Sequence, residues 1–201
     1  MMRAAVFALL SESPEAGIVS SRIAEVVLLV EDARQRDLVR HYLRRAHNSS
    51  YRNIRVRPLP SGRGSGEQYV REKYPSEVKE YRTQMHRRRT ALVVATDADL
   101  RPAAQRENEL AAALETTGEQ PRGETEAIVL LIPKRNVETW ICCLTGERVD
   151  EVTDYKNRRG IDDMIRPAAG ALYQWSRPRQ VIPTDCVPSL QRAFPELRRL
   201  A

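Results

Sequence analysis

Three uninterrupted apolar runs, each closed by polar or charged residues, constrain this chain more than any other feature. They are Val26-Val27-Leu28-Leu29-Val30 before Glu31-Asp32, Ala91-Leu92-Val93-Val94-Ala95-Thr96 before Asp97-Ala98-Asp99, and Ala127-Ile128-Val129-Leu130-Leu131-Ile132 before Pro133-Lys134-Arg135-Asn136. Runs of this length, rich in β-branched residues and without alternation, read as strands buried on both faces, the habit of a parallel sheet. Helical periodicity fills the intervals. Ala33, Leu38, Val39, Tyr42, Leu43 and Ala46 make one stripe on an otherwise arginine-rich segment. The spacing predicts a helix over 67–89 interrupted at Pro75, one from Pro102 to Thr116, and one over Val137 to Leu144. Ile54 to Leu59 alternates as a strand, with Pro58 arguing for an edge or a strand end. Beyond Gly146 a short helix at 161–172 and a terminal one from Ser189 to Leu200 are expected. The implied fold class is α/β: a mostly parallel central sheet with helices on both faces in Rossmann-type layers, right-handed crossovers, and a mainly helical C-terminal extension. The chain divides into an N-terminal arm (1–22), an α/β core (23–146) and the extension (147–201).

Composition narrows the partners. No stretch approaches eighteen uncharged apolar residues, so no membrane partner is expected. Arg3 and the run Ala4 to Leu10 imitate a secretory signal only weakly, because the run is short and leads into acidic, proline-containing sequence. Cys142, Cys143 and Cys186 are odd in number and form no C-x-x-C pair, which argues against a disulfide framework or zinc site and for a cytoplasmic protein. The net charge of +6 is segregated: eight arginines against one aspartate between residues 34 and 58, a net of +7, but three arginines against six glutamates between 101 and 126, a net of −3. A polyanionic partner follows, with Arg34, Arg40, Arg44, Arg63, Arg87, Arg88, Arg89 and Arg135 as candidate nucleic-acid contacts forming one flank beside the strand-end acids. The bland alternative is a solvated face. The loop Ser61 to Gly66 lacks the phosphate-binding P-loop pattern and reads as a connector.

In open α/β sheets, ligands bind beyond the carboxyl ends of the strands. Carboxylates crowded there repel one another unless a cation sits between them, and hard oxygen ligands suit magnesium or manganese. Asp97 and Asp99, two residues apart, share a metal if extended geometry persists past the strand; the competing reading makes Asp99 a helix-capping acid.

A strand ending in Glu31, a long helix, a variable middle, a strand ending in Asp97-Ala98-Asp99 and a further strand-helix unit resemble the TOPRIM fold of topoisomerases, primases and nucleases of the overcoming-lysogenization-defect group. The resemblance spans about residues 25–145. It implies that Glu31 acts as general acid/base or additional metal ligand and that Asp97 and Asp99 hold Mg2+ or Mn2+. The segment Ile132 to Trp140 is similar to the strand and N-[IV]-E-x-W helix start of stand-alone TOPRIM-like proteins, which makes Glu138 a further metal ligand and Lys134 a catalytic phosphate contact. Asn136 as helix cap and Glu138 as first-turn acid is the alternative for the same residues. Two positions depart from the family: Asp32 stands where its members carry glycine, and Gln35 where nuclease-type members carry an acid. The implied activity is metal-dependent cleavage or nicking of nucleic acid, DNA ahead of RNA, in bacterial defence, with a separate ATPase subunit and a second copy of the chain as expected partners. Two other readings stand beside it. One is a non-catalytic TOPRIM-like assembly subunit; the other is a receiver-like domain with Asp97 as phospho-acceptor, weakened by the 66 residues between Glu31 and Asp97.

Overall fold

The computed structural model describes residues 23–46, 53–60 and 65–200. The arm 1–22 and Arg63 lie outside the described residues. Strands β1 (Glu25–Val30), β2 (Ile54–Val56), β3 (Thr90–Ala95) and β4 (Ile128–Leu131) form one sheet in the order β2-β1-β3-β4. Every pairing is parallel, as the apolar runs require. β1 and β3 align from Glu25 opposite Thr90 to Val30 opposite Ala95, so both strands end at the same level.

Side-chain alternation divides the core into two layers. Val26, Leu28, Val30, Ala91, Val93, Ala95, Val129 and Leu131 face α1 (Ala33–Ala46) and α4 (Val137–Leu144), joined there by α5 (Ile161–Ser176) and α6 (Pro188–Leu197). Leu29, Leu92, Val94, Ile128 and Leu130 face α2 (Gly66–Gln84) and α3 (Ala103–Thr116). The fold is thus an α/β sandwich of Rossmann-like layers, and the C-terminal helices complete one layer. Trp140 shows how tightly: it is 1% exposed and its indole N–H donates to Ser189 Oγ of α6 at 2.7 Å.

α2 departs from expectation because Pro75 does not divide it; the proline is buried inside a continuous helix, which lacks an N–H donor at that position. β2 ends at Val56, two residues before Pro58, and lies at the sheet edge. No helix among the described residues is long and apolar enough to cross a membrane.

Candidate functional site

From β1 the chain steps outward to β2 through α1, and from β2 it returns across β1 to β3, so the order reverses between β1 and β3. A crevice opens at such a switch point beyond the carboxyl ends. The shared register puts Glu31 beside Thr96 and Asp97. Glu31 Oε2 accepts from the Thr96 hydroxyl and from the Asp97 backbone N–H, each at 3.0 Å. Gln35, 1% exposed, ties the two acids together: its Oε1 accepts the Glu31 N–H at 3.0 Å and its Nε2 donates to Asp97 Oδ1 at 2.8 Å. Asp32 caps α1, its Oδ1 accepting the Gln35 N–H at 2.9 Å. The second Asp97 oxygen, Oδ2, is buried without a hydrogen-bond partner.

Burial is the main reason the Asp97 carboxyl lies well above its ordinary range, with the neighbouring charges of Glu31, Asp32 and Glu138 pushing the same way against the Gln35 bond. Glu31 is also raised, chiefly by burial, although the Asp97 N–H and Thr96 hydroxyl stabilise its anion. Glu138 is 2% exposed in the first turn of α4, which Asn136 caps by accepting the Thr139 N–H at 3.2 Å. Its Oε1 accepts from Arg34 at 2.7 Å, and its Oε2 is buried with no partner. Asp97 Oδ2 and Glu138 Oε2 are thus two buried carboxylate acceptors without a hydrogen-bond partner, and the Glu138 charge reaches Asp97.

The four acids singled out from the sequence do not converge. Among the described residues, no group of three or more His, Cys, Asp or Glu side chains is placed to hold a metal ion. The reason lies in the backbone. β3 ends before Asp97, and Asp99 takes φ 54°, so the extended geometry that would point Asp97 and Asp99 the same way is lost. Asp97 points into the fold at 1% exposure, whereas the Asp99 side chain is 54% exposed and lies 3.6 Å from Arg106. Arg106, 3% exposed, also donates to the Asp97 carbonyl at 3.1 Å and pairs with Glu67 and Glu109. Arg135, at φ 71°, donates its N–H to the Asp99 carbonyl at 2.8 Å and pairs with Asp154 at 3.2 Å. Two non-glycine residues in left-handed conformation, bonded to each other, mark a strained clamp at the sheet's carboxyl end. Lys134, half-buried, occupies the same turn.

Sequence reasoning did not find the bridging role of Gln35, the cationic wedge of Arg106, or Gly66. The first residue of α2, Gly66, lies so close to Glu31 that a Cβ would stand 2.2 Å from Glu31 Cγ and 3.0 Å from its carbonyl oxygen. The last glycine of the Ser61–Gly66 connector is therefore the close-packing surface for Glu31.

The expected single basic flank is corrected. Arg87, Arg88 and Arg89 precede β3 and stand at the amino end of the sheet, a strand length of about 20 Å from the carboxylates. Arg34 is held by Glu138, Asp162 and the Lys156 carbonyl. Arg40 and Arg44 lie along α1, half-buried and exposed respectively. Comparison of the chain with protein-family models, with curated proteins and with solved structures finds no match.

Proposed function

We propose that this chain is a divalent-metal-dependent phosphodiesterase of TOPRIM type that cleaves or nicks nucleic acid, DNA ahead of RNA. The observation that carries the reading is the buried, partner-free Oδ2 of Asp97 beside Glu31 at the switch point of a parallel sheet. Asp97 and Glu31 would hold Mg2+ or Mn2+. Such an ion, when bound, neutralises charge developing on the phosphoryl oxygens and makes a water more acidic.

The chain's own groups supply the rest. Glu31 is only partly buried, and its raised proton affinity suits a carboxylate that takes a proton from the attacking water. Gln35 and the Thr96 hydroxyl keep Glu31 and Asp97 in fixed rotamers during that transfer. Lys134, half-buried in the turn after β4, supplies a cation for the scissile phosphate, and Arg135 clamps the two loops that bear Asp99 and Lys134. By the family resemblance, this activity belongs in the cytoplasm, in defence, beside a separate ATPase.

The test is cleavage of supercoiled plasmid and single-stranded RNA by the purified chain with Mg2+ or Mn2+, beside Asp97→Asn. Metal-dependent cutting by the wild type and a loss of about 100-fold or more in the variant are expected; equal cutting by both sinks the assignment. A second reading, a TOPRIM-like assembly subunit without turnover, draws support from Arg106 beside Asp99 and from the lack of convergence among the acids. Saturable Mn2+ binding with no cleavage of either substrate selects it.

A further inference from the structure

The segment that enters α6 is pinned to α4 by polar contacts inside an apolar layer. Ser189 Oγ accepts the Trp140 indole N–H at 2.7 Å, and the Ser189 N–H donates to Glu151 Oε1 at 2.7 Å. Cys143 lies three residues beyond Trp140 on α4, where side chains are neighbours, and Cys186 lies three residues before Ser189. The contact that seats α6 therefore brings these two thiols together, and both belong to the same core layer. The Cys143 sulfur accepts hydrogen bonds from the Cys186 thiol and from the Val187 N–H. Cys186 is held from its backbone as well: its N–H donates to the Pro183 carbonyl at 3.1 Å, and its carbonyl accepts from Gln191 Nε2 at 2.7 Å.

The three thiols of the chain are free and chemically unlike. Cys142, 0% exposed, is turned away from Cys143 by the helical step, and burial pushes its thiol up to about 11. Cys143 is the least buried of the three, at 7% exposed against 4% for Cys186. Its thiolate is favoured by the Cys186 thiol and then, against the cost of burial, by the Val187 N–H. The Cys186 thiol is driven the other way, first by its hydrogen bond to Cys143 and then by burial. The proton therefore stays on Cys186 while the anion forms on Cys143, and a thiolate beside a second thiol is the arrangement of an attacking and a resolving cysteine.

We propose that Cys143 and Cys186 are a site of reversible oxidation by peroxide, forming a disulfide that staples the end of α4 to the start of α6. The Cys143 thiolate attacks one oxygen of hydrogen peroxide; the S–O bond forms, the O–O bond breaks, and the departing hydroxide takes a proton and leaves as water. Cys186 sulfur then attacks the Cys143 sulfenic acid; the S–S bond forms, the S–O bond breaks, and the hydroxyl leaves as a second water with the Cys186 proton. Two thiols lose two electrons and one peroxide is reduced to two waters. An external dithiol returns the pair to thiols by exchange. The bond closes a loop that contains all of α5, and it removes freedom from the unfolded chain. It draws on nothing in the Glu31–Asp97 crevice, so it stands apart from the phosphodiesterase reading.

The experiment treats the folded, fully reduced full chain with hydrogen peroxide, blocks remaining thiols with iodoacetamide under denaturing conditions, and maps the peptides by mass spectrometry. Free thiols fall from three per chain to one, the remaining one is Cys142, and a single linked peptide joins Cys143 to Cys186 within one chain. Dithiothreitol restores all three. Cys142→Ser forms the bond as the wild type does. In Cys186→Ser the reaction stops at a Cys143 sulfenic acid, trapped as its dimedone adduct, and in Cys143→Ser neither a disulfide nor an adduct on Cys186 forms. Far-ultraviolet spectra of the variants match the wild type before peroxide is added, and the oxidised wild type melts above the reduced one. Three thiols surviving in the treated wild type overturn the proposal. So do a bond to Cys142, a bond between chains, or an oxidised form that melts below the reduced one.

Discussion

The neutral amide of Gln35 controls which oxygens the crevice offers. By donating to Asp97 Oδ1 it leaves Oδ2 facing inward, and by accepting the Glu31 N–H it fixes the start of α1 relative to the acid. Gln35→Met keeps the length and apolar stem but removes both bonds. Partners of this kind hold ligand orientation, and losing one lowers metal affinity about 10- to 100-fold. The expected result is Mn2+ binding, followed by electron paramagnetic resonance, weakened by at least about tenfold with an unchanged far-ultraviolet spectrum. Mn2+ affinity equal to the wild type would show that Asp97 needs no such positioning. Nothing in the sequence reveals this role. A glutamine in a helix's first turn reads as solvent-exposed until the register of β1 on β3 brings Asp97, 62 residues away, within its reach.

Whole elements are legible where one physical signal acts alone. β1, β3 and β4 are continuous apolar runs, and α1 carries a clear stripe, so local pattern and global fold agree. The Asp97-Ala98-Asp99 segment defeats the same reasoning because backbone conformation beyond a strand end is set by its neighbours; here Asp99 is left-handed and its carbonyl accepts the Arg135 N–H. The basic flank fails for a similar reason, since α2 runs back against the direction of the strands and carries Arg87–Arg89 to the far end of the sheet. The C-terminal helix, weak in sequence, has a definite task. β4 is an edge strand, and Glu196 of α6 accepts its Leu130 N–H at 2.8 Å while pairing with Arg122, which donates to the Ile128 carbonyl at 3.0 Å. An uncapped edge is a template for pairing between chains. Glu196→Ala is expected to cost about 1.5–3 kcal/mol, the penalty for removing a charged acceptor from a semi-buried network. Urea titration gives the loss, and light scattering on warming should show aggregation at a lower temperature than the wild type. An unchanged urea midpoint would mean that Glu196 does not stabilise the β4 edge.

At the scale of the whole molecule, the crevice and the fold draw on the same stability. Both halves of the sandwich hold two carboxyls, Asp97 and Glu31, in a place where burial raises their proton affinity. A carboxyl whose pKa is higher folded than unfolded adds stability that is complete below its unfolded value and is lost as pH rises through the folded value. The ordinary values are 3.8 for Asp and 4.5 for Glu, so the contribution fades upward from that range. The cation-free chain should therefore be strained at neutral and alkaline pH by its own site. Asp97→Asn removes a buried charge while keeping the Oδ1 acceptor for Gln35. In chelator at about pH 8 it should melt several degrees above the wild type, a gain of about 1–2 kcal/mol in a domain of this size. At about pH 5 the difference should shrink, since protonation does to Asp97 what the substitution does. Added Mn2+ should raise the wild-type melting temperature at the higher pH and leave Asp97→Asn unmoved, because a ligand stabilises only the folded state that binds it. Calorimetry across pH, with and without Mn2+, checks all three outcomes. Melting of Asp97→Asn at or below the wild type in chelator at about pH 8 would mean that the fold bears the Asp97 charge without cost, and the case for a cation in the crevice would lose its electrostatic basis.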